Sequence, residues 1–168
     1  KRSRIVALNH SFHGDTFGAM SVSGLSVYNG PFEDFLLTVD RIDVPDEDNI
    51  GQVLEDFEQL LKEGEVAAFI YEPLVQGAAA MHMYSAEFLD QLMALSKKYG
   101  TLNIADEVMT GFGKTGRYFA SDYLRLSPDI ICLSKSLTAG IAPMALTCCQ
   151  EEVYQAFYDD NIAKGFFH

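Results

Sequence analysis

The sequence predicts a three-layer α/β/α domain built on a mainly parallel β-sheet, and three observations predict it. Strand-like runs such as "VAAFIY" and "IICL", inside "VAAFIYEP" and "DIICLSK", are apolar through their length, the pattern of strands covered on both faces. These runs alternate along the chain with segments of helical apolar spacing. The 168 residues, 48% of them hydrophobic, suffice for one domain with a full core and exclude a disordered tail.

The elements follow in order. "RIVALNH" (residues 4–10) reads as a buried strand. "SFHGDTFGAMSVSG", with glycines at 14, 18 and 24, reads as a turn into a closely packed helix. Residues 26–50 hold Gly30, Pro31, Pro45 and several acids without a sustained period, so they form an irregular connection with one short strand at "FLLTVD". Ile50, Val53, Leu54, Phe57, Leu60 and Leu61 lie at helical spacing, and Gly64 ends that helix. The strand "VAAFIYEP" is closed by Pro73. "SAEFLDQLMALSKKYG" is a second amphipathic helix, with Ser85 as N-cap, Glu87 in its first turn, Lys97 and Lys98 in its last, and Gly100 at its end. "TLNIADE", "DIICLSK" and "MALTCC" are further strands, and "QEEVYQAFYDD" a further helix. No internal repeat or low-complexity segment interrupts the pattern.

Composition narrows the function. A net charge of -12 argues against a nucleic-acid partner, which needs clustered Lys and Arg. Cys132, Cys148 and Cys149 are odd in number and sit in apolar runs, so they are expected to be reduced core thiols of a cytoplasmic protein. No C-x-x-C pair exists, and His10, His13, His82 and His168 are scattered, so no metal site is expected. No run approaches the roughly 18–20 apolar residues of a membrane span. "KRSRIVALNH" is too briefly apolar for a secretory signal. Lys1 leads at once into a strand and the chain stops on "KGFFH", so the sequence is expected to belong to a longer chain.

"IADEVMTGFGKTGRYF" resembles a phosphate-cradling loop at Gly113, Lys114 and Thr115. The pattern needs a second glycine where Val108 stands, and Asp106 and Glu107 occupy the place where phosphate needs N–H groups and no negative charge. The P-loop reading therefore fails. Ligands of open parallel sheets bind beyond the C-terminal strand ends, and those ends deliver Phe12, His13 and Gly14, then Glu72, then Asp106 and Glu107, then Lys135. Alone, Lys135 reads as an exposed strand-end cation, Asp106 as a cap, Phe12 as core and Glu107 as a turn cap, while His13 reads equally as structural or functional. Together they suggest a partly desolvated amine able to form a Schiff base, with a carboxylate that keeps a pyridine nitrogen protonated. Phe12 and Val108 would then cover the two faces of a planar ring.

"FHGDTFGAMSVSG", "YEPLVQGAAAM", "IADEVMTGFGKTGRYFA" and "PDIICLSKSLTAG", in this order, resemble the class III pyridoxal-phosphate aminotransferases, and within them the branch of biotin synthesis. The resemblance implies the type I transferase fold, with residues 1–168 the central part of its cofactor-binding large domain and an N-terminal segment and C-terminal small domain outside them. It implies pyridoxal 5'-phosphate as cofactor, Lys135 as the Schiff-base lysine, Asp106 as partner of the ring nitrogen, Phe12 and Val108 on the ring faces, and Gly14 and Glu72 beside them. Phe12 and Lys135 are also expected to meet the substrate. Further implications are a homodimer, adenosylmethionine as amino donor and 8-amino-7-oxononanoate as keto acceptor. Ornithine, acetylornithine or 4-aminobutyrate are the substrates of the neighbouring branches, and a non-catalytic α/β domain is the alternative outside the class. Met109 stands where ornithine- and aminobutyrate-type members carry Gln, and Ser134 where Gly is common. Residues 1–168 alone are expected to be inactive.

Overall fold

The computed structural model describes residues 2–161 and 163–165; the closing "FFH" lies outside the described residues. In chain order the elements are β1 (Arg4–Leu8), α1 (Phe17–Val22), β2 (Asp40–Ile42), α2 (Ile50–Lys62), β3 (Val66–Tyr71), β4 (Val75–Gln76), β5 (His82–Met83), α3 (Ala86–Lys98), β6 (Leu102–Asp106), β7 (Ile130–Leu133), β8 (Leu146–Cys149) and α4 (Glu151–Gln155). Six strands form one sheet in the order β2-β1-β3-β6-β7-β8, parallel except for β8, which runs antiparallel to β7. β4 and β5 form a separate antiparallel pair. The sheet is the mainly parallel one that the apolar runs predict.

The core forms where α2 and α3 pack together on one face of the sheet. Val53, Phe57 and Leu61 of α2 and Leu89, Leu92 and Met93 of α3 bury against Val6, Leu8, Phe69, Tyr71 and Ala105. The rings of Phe57, Phe69 and Tyr71 follow one another at 4.9 and 5.1 Å between centroids. The chain runs from β1 to β2 in the opposite direction to its later crossovers, so the right-handed crossover rule puts α1 on the other face. Met20 and Val22 of α1 are accordingly buried yet lie outside that core cluster.

Capping of α3 follows the expected pattern, since Ser85 Oγ accepts the Glu87 N–H at 3.1 Å. Its C-terminal end is closed by a residue without a local signal. The Arg2 guanidinium donates to the carbonyls of Tyr99 at 2.7 Å and Gly100 at 2.5 Å, placing a cation at the negative end of the helix dipole.

On the outer surface, Glu58 accepts from Lys98 Nζ at 2.8 Å, Tyr99 Oη at 2.9 Å and Lys62 Nζ at 3.1 Å, tying α2 to α3. Lys98 first, then Tyr99 and Lys62, hold its carboxyl down at about 2. A carboxylate depressed below its unfolded value contributes stability above its ordinary 4.5, and that contribution is lost as pH falls toward about 2. Glu58→Gln should therefore lower the thermal midpoint modestly near neutral pH, with the difference closing near about pH 2 and shrinking in high salt. Melting curves of both proteins across that range check it; a gap that persists at the acid end would assign the loss to packing.

Three expectations need correction. The strand expected at "FLLTVD" begins only at Asp40: residues 30–35 form a 3-10 turn, and Phe35 and Leu37 point outward, while Ile42 is the buried residue that pairs with β1. The last helix spans only Glu151–Gln155 and buries nothing, and the apolar Phe157 and Tyr158 that follow it stay exposed, so no packing extends it. Cys148 and Cys149 are exposed and Cys132 is half-buried, so the cysteines are not core thiols. Helices lie on both faces of the sheet as the three-layer reading predicts, and only its edge strand β8 is exposed throughout. Among the described residues, no helix is long and apolar enough to cross a membrane.

Candidate active site

Strands β1, β3, β6 and β7 stand side by side, and their C-terminal ends deliver the residues singled out above. The centre of the arrangement is Asp106, the last residue of β6 and only 7% exposed. Its Oδ1 accepts the Val108 N–H at 3.0 Å, and its Oδ2 lies 2.7 Å from His13 Nδ1. Each carboxylate oxygen keeps a further lone pair for another donor. Here the structure goes beyond the sequence: His13, which could be read either way, joins the site with its side chain 2% exposed. Its backbone N–H is fixed by Ser23 Oγ at 2.8 Å, and its Nε2 is buried without a partner. The signal available in sequence was its place beside Phe12 at a strand end.

Phe12 is 38% exposed, so part of its side chain is accessible. It lines an open cavity of about 720 Å³ together with His10, Asp15, Tyr28 and His82. Gly14 turns the chain away after His13 with φ +127°, a conformation that suits glycine, and a Cβ there would meet Ala19 Cβ at 3.3 Å. Val108, half-buried, follows Asp106 on the loop after β6.

Glu72 follows β3 and is buried at 5% exposure. Its Oε2 accepts the Phe12 N–H at 3.2 Å and its Oε1 the Gly77 N–H at 3.1 Å, so both oxygens hold backbone. Burial raises its pKa, opposed by those two amides and by His13. Gly77 has a second task. A Cβ there would lie 2.4 Å from Met109 Sδ, so Met109 is seated directly on this glycine.

Glu107, fully buried, faces away from this cluster. It accepts from Thr110 Oγ1, from the Ala120 N–H at 3.0 Å and from the Ser121 N–H at 2.6 Å, which fits the turn-capping role open to it in sequence. Cys132 pairs in register with Asp106, and burial together with that carboxylate raises its thiol pKa, making it a poor nucleophile.

Lys135 opens a 3-10 turn just past β7, with φ +37°. It is exposed, contrary to the expectation of a partly desolvated amine, because the segment from 139 to 150 that follows it is exposed throughout and covers nothing. Ser134 causes no crowding: its φ of −161° is extended backbone, and its hydroxyl donates to the Met144 carbonyl at 2.8 Å. Among the described residues no group of three or more His, Cys, Asp or Glu is placed to hold a metal ion.

Asp106 with its neighbours His13 and Val108 lies at one strand end, Phe12 precedes His13, and Lys135 stands just past the adjacent strand β7, residue types that fit a planar ring with a protonatable nitrogen and an aldehyde. Comparison with known proteins points the same way. Residues 1–167 match the family model described as aminotransferase class-III. Adenosylmethionine-8-amino-7-oxononanoate aminotransferase of Synechococcus elongatus is 46% identical over 175 residues, covering 99% of this chain and 41% of its own length. The crystal structure of the protein of that name from Methanocaldococcus jannaschii superposes with a TM-score of 0.90 at 33% identity, over 99% of this chain and 39% of the other. Ornithine aminotransferase of Toxoplasma gondii, whose active site holds PLP at partial occupancy, gives a TM-score of 0.80 at 30% identity, over 92% of this chain and 35% of the other. The chain spans about two fifths of the length of the curated relatives it matches.

Proposed function

The chain belongs to the class III aminotransferases, and from that premise we propose that it carries the central part of the large domain of a pyridoxal-phosphate enzyme of biotin synthesis. The amino group would pass from adenosylmethionine to 8-amino-7-oxononanoate, giving 7,8-diaminononanoate. The observation that carries this reading is the pair of adjacent strand ends: Asp106 closes β6, and Lys135 leaves β7 three residues after Cys132, the register partner of Asp106.

Bound pyridoxal phosphate supplies an electron sink for the pair left on the substrate carbon when its proton departs. Lys135 Nζ would be the atom to hold the cofactor, and the same amine would move the proton at the donor carbon as base and then acid. Asp106 Oδ2, steadied by His13, presents negative charge to a ring N–H, while Val108 N–H fixes Oδ1. Phe12 and Val108 would flank the ring and orient it. Met109, packed on Gly77, leaves an apolar surface where an ornithine-type member would present an amide, which favours the biotin branch.

We also propose a homodimer in the cytoplasm. Phe17 packs edge-on against Phe32 and near Phe35, all three remain exposed, and Val27, Tyr28 and Leu37 extend the patch. Exposed apolar surface of this kind suits a subunit contact.

The test is optical. Full-length protein loaded with pyridoxal phosphate should absorb near ~400 nm and lose that band with adenosylmethionine. Loss only with ornithine, acetylornithine or 4-aminobutyrate would move the protein to a neighbouring branch. Protein that stays colourless would be a non-catalytic α/β domain.

A further inference from the structure

Immediately after β3 the chain turns sharply through Glu72, Pro73 and Leu74. Leu74 has φ +67°, in the left-handed region that disfavours a residue carrying a Cβ. Such a conformation persists only where its surroundings over-determine it. One residue supplies that restraint from both sides. The Tyr84 N–H donates to the Leu74 carbonyl at 3.0 Å, and the Tyr84 hydroxyl donates to the Glu72 carbonyl. Tyr84 itself is packed in the core, 9% exposed, so its ring cannot follow if the turn shifts.

What the turn presents is the Glu72 carboxylate, which holds the N–H groups of Phe12 and Gly77. Phe12 sits in a loop that carries a second strained residue, His10 at φ +62°. That loop is tied also to β4, by Gln76 Nε2 on the Asn9 carbonyl at 2.8 Å. Gly77 is the seat of Met109. One carboxylate thus sets both the residue proposed for a ring face and the floor under Met109.

We infer that Tyr84 is a positioning residue of the site: it locks the turn at residues 72–74, and through the Glu72 carboxylate it fixes the backbone that carries Phe12. The inference rests on the proposed function, since it concerns the slot for the cofactor ring. Removing the hydroxyl leaves the buried Glu72 carbonyl unpaired and lets the turn relax, and Phe12 loses its anchor.

Full-length protein is compared with Tyr84→Phe, Glu72→Gln and the double variant, reading the dissociation constant for pyridoxal phosphate and the visible circular dichroism of the bound cofactor. Each single variant should weaken binding on the order of tenfold, as a small displacement of a positioned group does, and alter the dichroism. The double variant should be no weaker than the worse single, because both act on one link. Losses that multiply in the double variant, or wild-type affinity in Tyr84→Phe, would overturn the inference. Glu72→Gln leaves Tyr84 and the core untouched, so wild-type affinity there overturns it even if Tyr84→Phe does not fold. Wild-type protein that fails to bind pyridoxal phosphate overturns the functional reading itself, a result distinct from variants that bind as well as wild type.

Discussion

Full-length protein with Lys135→Ala should lose transamination altogether and keep its fold. The side chain is exposed, so its removal opens no cavity. Its backbone at φ +37° is no worse for alanine than for lysine, both carrying a Cβ, so the turn after β7 keeps its conformation. Chemically nothing replaces it, because the covalent hold on the cofactor and the proton transfer at the substrate carbon both need Nζ. Circular dichroism should be unchanged in the far ultraviolet, and product formation should disappear. Turnover above roughly a few per cent of wild type would remove Lys135 from the mechanism.

Asp106→Asn should leave the cofactor bound and slow the chemical step by about 10²–10³, the usual loss when a preorganised charge is removed. The isosteric amide can still accept the Val108 N–H with its oxygen. Its NH₂ group then faces His13 Nδ1, which can serve as acceptor in the other tautomer. The local structure survives, and the negative charge toward the ring does not. Rapid mixing with adenosylmethionine, following decay of the visible band, isolates this step. A rate within a few-fold of wild type would make Asp106 a structural cap, and its pairing with the ring nitrogen would be wrong.

Much of this was legible in the chain itself, and the reasons for success and failure are local. α2 and α3 carry a full apolar stripe with glycines at their ends, β3 and β7 are apolar throughout and β1 and β6 largely so, and that pattern is written in their own residues. β2 was misplaced because Phe35 and Leu37 look like strand residues but face outward. The pair β4 and β5, two residues each, is too short to leave a period and did not emerge from the sequence. Strand ends gave Phe12, Glu72, Asp106 and Lys135 as a set. The His13–Asp106 contact bridges 93 residues, and the Tyr84 clamp on Glu72 depends on a left-handed leucine; neither leaves a mark in nearby sequence. The exposure of Lys135 likewise depends on what packs over it, which no strand-end pattern encodes.

Glu107 has a consequence for how this protein can vary. By gripping Thr110 on one side and the amides of Ala120 and Ser121 on the other, it draws the ends of the segment 108–119 together at one buried anion. Once the ends are clasped, lengthening the segment adds little entropic cost, since closure grows only logarithmically with length. Changes between Phe112 and Arg117 are therefore insulated from Asp106, one residue away from the clasp. On closure entropy alone the segment is expected to tolerate changes in length while the catalytic carboxylate proposed beside it keeps its position.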